Sequence, residues 1–590
     1  NRCYDIQQEA ASGDITLLPQ KTNLIYQTSL IYCFNDEQSL YYIDKEFNFY
    51  AFHIPTQKNE FIANLGKEIQ ERGKISSIVH YHNSYFVGFL MDGILLLEKQ
   101  KETNHYQIQS LPINSGVFCL KKDRFQDVVW IGTDGQGVYL YSNPLYSIKS
   151  MVLSNYTEKI ERPVRAIYLD DERTFWVGTK GNGILKIYDY EFDKNISDCR
   201  AEVLTTSNSA LSSNAVYCFA KSHRNLLWIG DEEGLTYYSY REKRIKSIPI
   251  RIGNEDFKYI HDIYETADSE LWLVSVGMGV VKARIAGTPD NPVIVDAQRY
   301  IINDGELGSN YFFTIYAENE ANLLFGNKGY GVFRYNETTN GLEPVSTHKY
   351  ENMTLNNILA ISKDSSNNYL FGTSYGLIKY TSETSYQLFN AKNGFLNNTI
   401  HAILRNSSDD FWLSTNLGLI NFDTKRNVFR SYGFGDGLKV VEFSDGAAFR
   451  DSQTGTLFFG GINGVVAIRA DGRPEQLYMP PVYFDKLSIF GEQYNLGEFL
   501  TRKKETEVLN LQYDQNFFSV SFASVDYLNG NNCTYFYKLK GLSDQWVNNG
   551  SESGVSFTNM APGEYTLLVK YYNSVFDKES DVYSLVIRIG

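Results

Sequence analysis

Positive charge is in short supply in this chain. Lys and Arg number 55 against 69 Asp and Glu in 590 residues, a formal net charge of −14 at pH 7. Such a surface repels phosphate backbones and, local cationic spots aside, argues against a nucleic-acid partner. Long apolar runs are missing too, and none approaches the ~18 residues of a membrane helix. No secretory leader opens the sequence. If the segment is exported, its leader and any anchor lie outside it. The six cysteines form no CxxC pair and no Cys/His cluster, so neither a metal nor another cofactor is expected. Cys119 and Cys218 fall where other copies of a repeated strand carry Ala166, Ala360 and Ala402. They read as small buried fillers, and a Cys3–Cys33 disulfide stays open. Disorder is excluded by 43% apolar and 15% aromatic residues.

What the chain has is a recurring phrase. Five of the six tryptophans lie in it: Trp130-Ile-Gly-Thr-Asp-Gly-Gln-Gly, Trp176-Val-Gly-Thr-Lys-Gly-Asn-Gly, Trp228-Ile-Gly-Asp-Glu-Glu-Gly, Trp272-Leu-Val-Ser and Trp412-Leu-Ser-Thr-Asn-Leu-Gly. Phe325, Phe371 and Phe459 head three further copies, and weaker ones surround Phe86 and Ile31. A return of the phrase roughly every forty to fifty residues, built from short alternating strands and glycine turns, predicts propeller blades. Each blade needs the same aromatic wedge and the same turn, so these residues are architectural.

Innermost strands are expected to start at Val164, Val216, Ile260, Phe312, Ile358, Ile400 and Ala447. That makes a seven-bladed propeller over 155–472. Three motifs fit into 1–154, which is expected to be part of an N-terminal propeller, since three blades alone leave edge strands open. After Gly464 the phrase stops. Pro474, Pro480 and Pro481 mark a boundary. Seven short strands follow in 473–590: 482–490, 507–511, 517–522, 534–540, 554–558, 564–572 and 583–589. They predict an immunoglobulin- or fibronectin-like β-sandwich. The expected fold is all-β.

The Trp-Ile-Gly-Thr phrase resembles the repeat of two-component-regulator propellers. The tail, notably Tyr535–Trp546 and Ala561-Pro-Gly-Glu-Tyr-Thr-Leu-Leu-Val-Lys, resembles the Y-Y-Y domain that follows them. The stretch Asp436-Gly-Leu through Gly460-Gly-Ile-Asn-Gly464 is similar to that family's last blade. The resemblance implies the periplasmic sensor region of a hybrid histidine kinase, controlling polysaccharide-utilisation genes. It implies an oligosaccharide ligand, a homodimer relaying the signal through the sandwiches, and a membrane helix beyond the C-terminus. This sequence departs from the pattern by lacking about four N-terminal blades and any kinase region.

Blade equivalence singles out two sets of residues. Two positions before each strand start lie Arg162, Asn214, Lys258, Asn310, Asn356, Asn398 and Asp445. One position after lie Arg165, Tyr217, His261, Phe313, Leu359, His401 and Ala448. If each set forms a ring near the channel, it offers sugar hydroxyls donors and acceptors, cations for acidic groups, and aromatic faces for a pyranose. The asparagines have a bland alternative as turn formers. Asp262 occupies the small-residue slot and needs a partner, for which Arg165 and Lys258 are candidates.

Catalytic signals are weak. Gly372-Thr-Ser374-Tyr-Gly376 matches a nucleophile elbow, but it is one blade's turn with no helix to follow. Asp170-Asp171 and Asp409-Asp410 fall at hairpin tips and read as solvated. A sensor without catalysis is therefore expected. A propeller glycosidase or lyase and a protein-interaction scaffold are the alternatives.

Overall fold

The computed structural model describes residues 4–8, 15–19, 30–36, 38–100, 105–142, 146–155, 160–194, 196–302, 310–345, 356–395, 397–434, 438–470, 478–503, 506–528, 533–573 and 576–590. Cys3 lies outside them, as does the question of its pairing. The chain is nearly all β, and among the described residues no helix is long and apolar enough to cross a membrane. Two compact units emerge. One comprises Asn1–Pro144, Pro474–Tyr483 and Ala523–Gly530, the other Leu145–Arg473, Phe484–Phe522 and Asn531–Gly590.

In the larger unit, seven four-stranded antiparallel sheets follow one another. Their inner strands are Val164–Leu169, Val216–Lys221, Ile260–Glu265, Phe312–Asn319, Ile358–Lys363, Ala402–Arg405 and Phe443–Arg450, which we call blades 1 to 7. Each inner strand packs against the next, and that of blade 7 against that of blade 1, so the ring is closed. Five of the seven expected starts are met. The ladder of blade 6 begins two residues later, and the strand of blade 7 begins at Phe443.

Closure uses a strand the sequence reading assigned elsewhere. Tyr146–Val152 pairs antiparallel with Gly464–Ala470, from Tyr146 opposite Ala470 to Val152 opposite Gly464. It is the outer strand of blade 7, so the propeller starts before residue 155. The reason is topological: an outer strand borrowed from the N-terminal side ties the last blade to the first and removes two open edges.

The wedges are where the repeat puts them. Trp176, Trp228, Trp272 and Trp412 are at most 2% exposed. Trp176 packs on Val216, Leu227 and Ile229 of blade 2, and Trp272 on Phe312, Leu323 and Phe325 of blade 4. Burying each such side chain stabilises by roughly 2–3 kcal/mol. The glycine two places after Trp176 is required by approach of the next blade: a Cβ on Gly178 would stand 2.8 Å from Val216 Cγ1. Cys218 is buried in the small slot as expected. Cys119 is exposed, against expectation. It does face Gly132, whose Cβ would meet its Sγ at 2.7 Å, but no neighbouring described blade covers it.

Of the hairpin-tip aspartates, Asp171 is exposed as expected, while Asp170, Asp409 and Asp410 differ from the expectation of solvated acids. Asp170 is 3% exposed, accepting the Thr174 N–H at 2.8 Å and the Trp176 indole N–H at 2.9 Å. Asp409 accepts the Ser365 hydroxyl, and Asp410 the Tyr146 hydroxyl at 2.9 Å. An acid at that turn satisfies otherwise orphaned donors, which is why the position repeats.

The smaller unit holds two four-stranded sheets, Leu30–Asn35 to Lys58–Asn64 and Ile75–Tyr81 to Tyr106–Ser110, and a three-stranded one, Val117–Lys122, Val128–Thr133 and Val138–Ser142. Gln126 bonds the backbone of Val525 and Tyr527 at 3.0 and 2.9 Å, so a loop of the tail belongs to this unit.

The tail forms the expected sandwich. One sheet orders Glu492–Asn495, Val482–Ile489, Phe518–Ser524 and Gly554–Phe557; the other is seven-stranded and contains Cys533–Lys540, Gly563–Asn573 and Tyr583–Ile589. Phe522 meets Tyr535 edge-on across the two sheets at 5.2 Å.

Candidate functional site

A single irregularity, repeated blade by blade, builds the axial site. In blades 1 to 5 the ladder between the first two strands skips one residue of the inner strand. Those residues are Arg165, Tyr217, His261, Phe313 and Leu359. Such a β-bulge leaves its extra residue unpaired and re-aims the side chain. In blade 6, His401 precedes the ladder and donates its N–H to Ser414 O at 2.8 Å.

Blade 7 departs from the inferred alignment. Its ladder is irregular all the way from Phe443 to Ala448. A Cβ on Gly460 would stand 3.2 Å from Ala447 Cβ, as one on Gly178 would stand 2.9 Å from Ala166 Cβ. Ala447 therefore fills the small slot, and Gly446, not Ala448, holds the ring position. Gly446 has φ +68°, which glycine adopts without strain, and its N–H points at His401 O, 3.3 Å away. Here the inner strand also approaches those of blades 2, 4 and 5 across the channel.

Five of the second set predicted from sequence come together, Arg165, Tyr217, His261 and Phe313 side by side and His401 through Asp445, while Ala448 stays outside. The Arg165 guanidinium lies 5.8 Å from the Tyr217 ring centroid, and Tyr217 stacks on His261 at 4.6 Å. His261 meets Phe313 edge-on at 5.8 Å. Asp445 joins His401 to this series, with Oδ1 2.5 Å from His401 Nδ1 and Oδ2 3.9 Å from Arg165 Nη1. His401 Nε2 lies 2.7 Å from Asn416 Oδ1. Asn416 was missed in sequence. It occupies the turn slot just after Thr415, where other blades carry Lys180, Glu232 and Ser374, and aligning that slot would have found it.

The electrostatics follow from enclosure. Burial alone pushes the Asp445 carboxyl up, but the hydrogen bond and charge of His401 and the charge of Arg165 outweigh it and hold the group below the usual carboxylate range. Burial, reinforced by Arg165, brings His261 down to about 3, so this ring is neutral at physiological pH. His261 and Tyr217 make ring contacts but no hydrogen bond among the described residues. Arg165 Nε is buried with no hydrogen-bond partner there either.

The first set is not an open ring. The side-chain oxygens of Asn214, Asn310 and Asn398 accept the N–H of Thr206, Ile302 and Ala391 at 2.9, 2.7 and 2.9 Å. Their amides staple the incoming loop of their own blade. The carbonyls of Asn214, Asn310 and Asn356 accept glycine N–H groups from the preceding blade's turn. Lys258 pairs with Glu233 at 2.5 Å, while Arg162 is exposed and its N–H is held by Asn182. Of this set only Asp445 reaches the axial cluster. Turn-forming amides won over ligand donors because each loop supplies an N–H that otherwise lacks a partner.

Asp262 also finds partners other than those expected. Its carboxylate accepts the N–H of Ile315 and Ile263 at 2.8 and 2.9 Å and faces the Thr314 hydroxyl at 3.4 Å. Neither Arg165 nor Lys258 contacts it. Ser374 sits in the turn closed by Thr373, whose hydroxyl donates to Gly376 O, with no helix behind it.

A polar cleft of about 420 Å³ opens among the far ends of the inner strands of blades 4 to 6, beside Glu318, Lys363, Asp364 and Arg405. Its main charges are already matched, with Lys363 2.5 Å from Glu318. Among the described residues no group of three or more His, Cys, Asp and Glu is arranged to hold a metal ion.

Residues 526–590 match the Y_Y_Y domain family. Over 447 residues the chain is 24% identical to histidine kinase P4 of Formosa agariphila, covering 72% of this chain and 31% of that protein. The chain thus spans about a third of the length of that curated relative. Among solved structures it is similar to the extracellular domain of a putative hybrid two-component system from B. thetaiotaomicron. There the TM-score is 0.62 at 23% identity, over 99% of this chain and 81% of that one. The resemblance read from the repeat and the tail is borne out, and the all-β, propeller-and-sandwich fold is shared.

Proposed function

We propose that this chain is the extracytoplasmic, periplasmic ligand-sensing region of a hybrid histidine kinase. In this reading it detects an oligosaccharide at the propeller axis and, as a dimer, relays occupancy across the membrane to control polysaccharide-utilisation genes. The observation that carries the reading is the axial cluster, in which His401, Asp445, Arg165, Tyr217, His261 and Phe313 follow one another in an unbroken series of contacts. Architecture does not need polar side chains there, since Leu359 serves in blade 5. Aromatic faces beside uncommitted donors are what sugar rings require. Catalysis is not part of the proposal. In the ring, Asp445 is the one acid, and it is engaged by His401, whereas glycoside hydrolysis uses two carboxyls.

A thermal-shift screen of the purified chain against plant and host oligosaccharides tests this, because a ligand selective for the folded state raises the melting temperature. Tyr217→Ala should abolish the shift. Turnover of a glycan would replace the sensor reading by an enzymatic one, and a silent screen would favour a protein-binding scaffold.

A further inference from the structure

The ring holds one cation whose hydrogen-bonding capacity is idle. A guanidinium carries five N–H donors in a fixed fork. Around Arg165 the described residues offer a ring face and one carboxylate oxygen, which at 3.9 Å is an ion pair but not a hydrogen bond. The other oxygen of Asp445 is occupied by His401. Arg165 Nε is fully buried with no hydrogen-bond partner among the described residues, while 15% of the side chain remains exposed. A donor buried without an acceptor forfeits the hydrogen bond it would make in water. The group is therefore poised for an acceptor that arrives from outside.

We infer that the axial ring selects saccharides bearing an oxyanion, a uronate carboxylate or a sulfate ester, and that Arg165 receives it through paired hydrogen bonds. The inference rests on the oligosaccharide reading above and names its ligand class. Planar, two-pronged acceptors match the guanidinium fork, which the neutral hydroxyls of a plain hexose do not. Asp445 cancels much of the charge of Arg165, so discrimination comes from directed bonds rather than from net attraction. Tyr217 and Phe313, on either side of His261, offer the apolar surface for the pyranose that carries the anion.

Calorimetric titration of the intact chain with paired oligosaccharides tests this. Each uronate oligomer, beginning with trigalacturonate, is compared with its carboxyl-reduced form, and each sulfated one, beginning with sulfated galactobiose, with its desulfated form. The acidic member of a pair should bind at least about tenfold tighter, the worth of one charge-assisted bond. The uronate and sulfate arms tell which oxyanion is preferred. Arg165→Gln should erase the preference, and Arg165→Lys should retain part of it. The comparison of paired ligands on the unaltered chain needs no variant, so a poorly folding substitution does not remove the test. Equal binding of charged and neutral partners would overturn the inference and leave the sensor reading standing. Binding of neither class would overturn both.

Discussion

The blades of the smaller unit and those of the closed propeller share one grammar and meet different fates. Both bulge at the same place: the ladder skips Ile31, Ser76 and Phe118 in the smaller unit as it skips Arg165, Tyr217 and His261 in the larger. Both carry an acid that accepts the indole N–H, Asp123 for Trp130 at 3.0 Å and Asp170 for Trp176 at 2.9 Å. Yet Trp130 is only partly buried, while the propeller tryptophans are sealed. Val138, Tyr139 and Leu140 are exposed, whereas the corresponding strand Ile184–Ile187 is wholly buried. The phrase sets strand, turn and bulge locally. Burial is supplied by the next blade.

The sharpest way to break that comparison is to remove one wedge from each region. Trp228, at 0% exposed, packs against Ile260, Leu271 and Leu273 of blade 3, and its N–H donates to the buried Glu265 at 2.7 Å. Trp228→Ala should destabilise the propeller by about 3–5 kcal/mol. Trp130 has the edge of Tyr527 against it at 4.7 Å and solvent beyond. Trp130→Ala should cost about half as much, because a partly exposed side chain has less buried surface to lose. Scanning calorimetry that resolves the two units checks both values. Equal losses would show that the wedge stabilises through its own sheet and not through its neighbour.

The next effect depends on pH and belongs to one blade. Where other copies carry Ala166, Cys218, Ala360, Ser77 or Cys119, blade 3 carries Asp262. Burial drives its carboxyl up to about 6, against the pull of the Ile315 and Ile263 N–H groups and the Thr314 hydroxyl. Cys218, whose thiol feels the Asp262 carboxylate, is itself pushed upward, first by burial, and stays neutral. A folded-state value above the ordinary 3.8 means the native state holds this proton more tightly than the unfolded chain. That contribution to stability is fully present below about pH 4 and is lost as pH rises through 6, a change of roughly 3 kcal/mol. Asp262→Asn removes the titration. The stability of the wild type relative to this variant should therefore fall between pH 4 and 6 in the propeller transition, and the smaller unit's transition should not respond. A flat difference would mean that the three hydrogen bonds keep the carboxylate charged throughout.

Much of this was legible from residue types alone, for reasons the two regions make plain. Indole, glycine and alternating apolar residues report local backbone shape, so strand starts at Val164, Val216, Ile260, Phe312 and Ile358 follow from spacing. The second ring was readable for blades 1 to 5, because there it recurs one residue after each start. The bulge that turns it inward was not, since a skipped pairing leaves no mark in composition. Blade 7 slipped because its inner strand already begins at Phe443 and pairs irregularly as far as Ala448, and spacing cannot show where an irregular ladder starts. The strand Tyr146–Val152 escaped because outer strands carry no phrase and its partner lies about three hundred residues away. Burial of Cys119 was overestimated because sequence shows the slot but not what covers it.

The smallest expected effect separates staple from ligand group. Ser115 of the smaller unit stands where Asn214 stands in the propeller: its carbonyl accepts the N–H of Gly93, as that of Asn214 accepts Gly183. The side chains differ. Asn214 reaches back to the N–H of exposed Thr206, while the Ser115 hydroxyl donates to Asp134 O at 2.5 Å. Asn214→Ser should keep the carbonyl contact and lose the amide one. Water can reach the freed N–H, so the cost is one ordinary hydrogen bond, at most about 1 kcal/mol. Saccharide affinity should not change, because the amide oxygen already serves the protein backbone. Urea unfolding and titration of the same variant check the two halves together. Unchanged stability with weakened binding would return Asn214 to the ligand's circle and reverse the division drawn between the two rings.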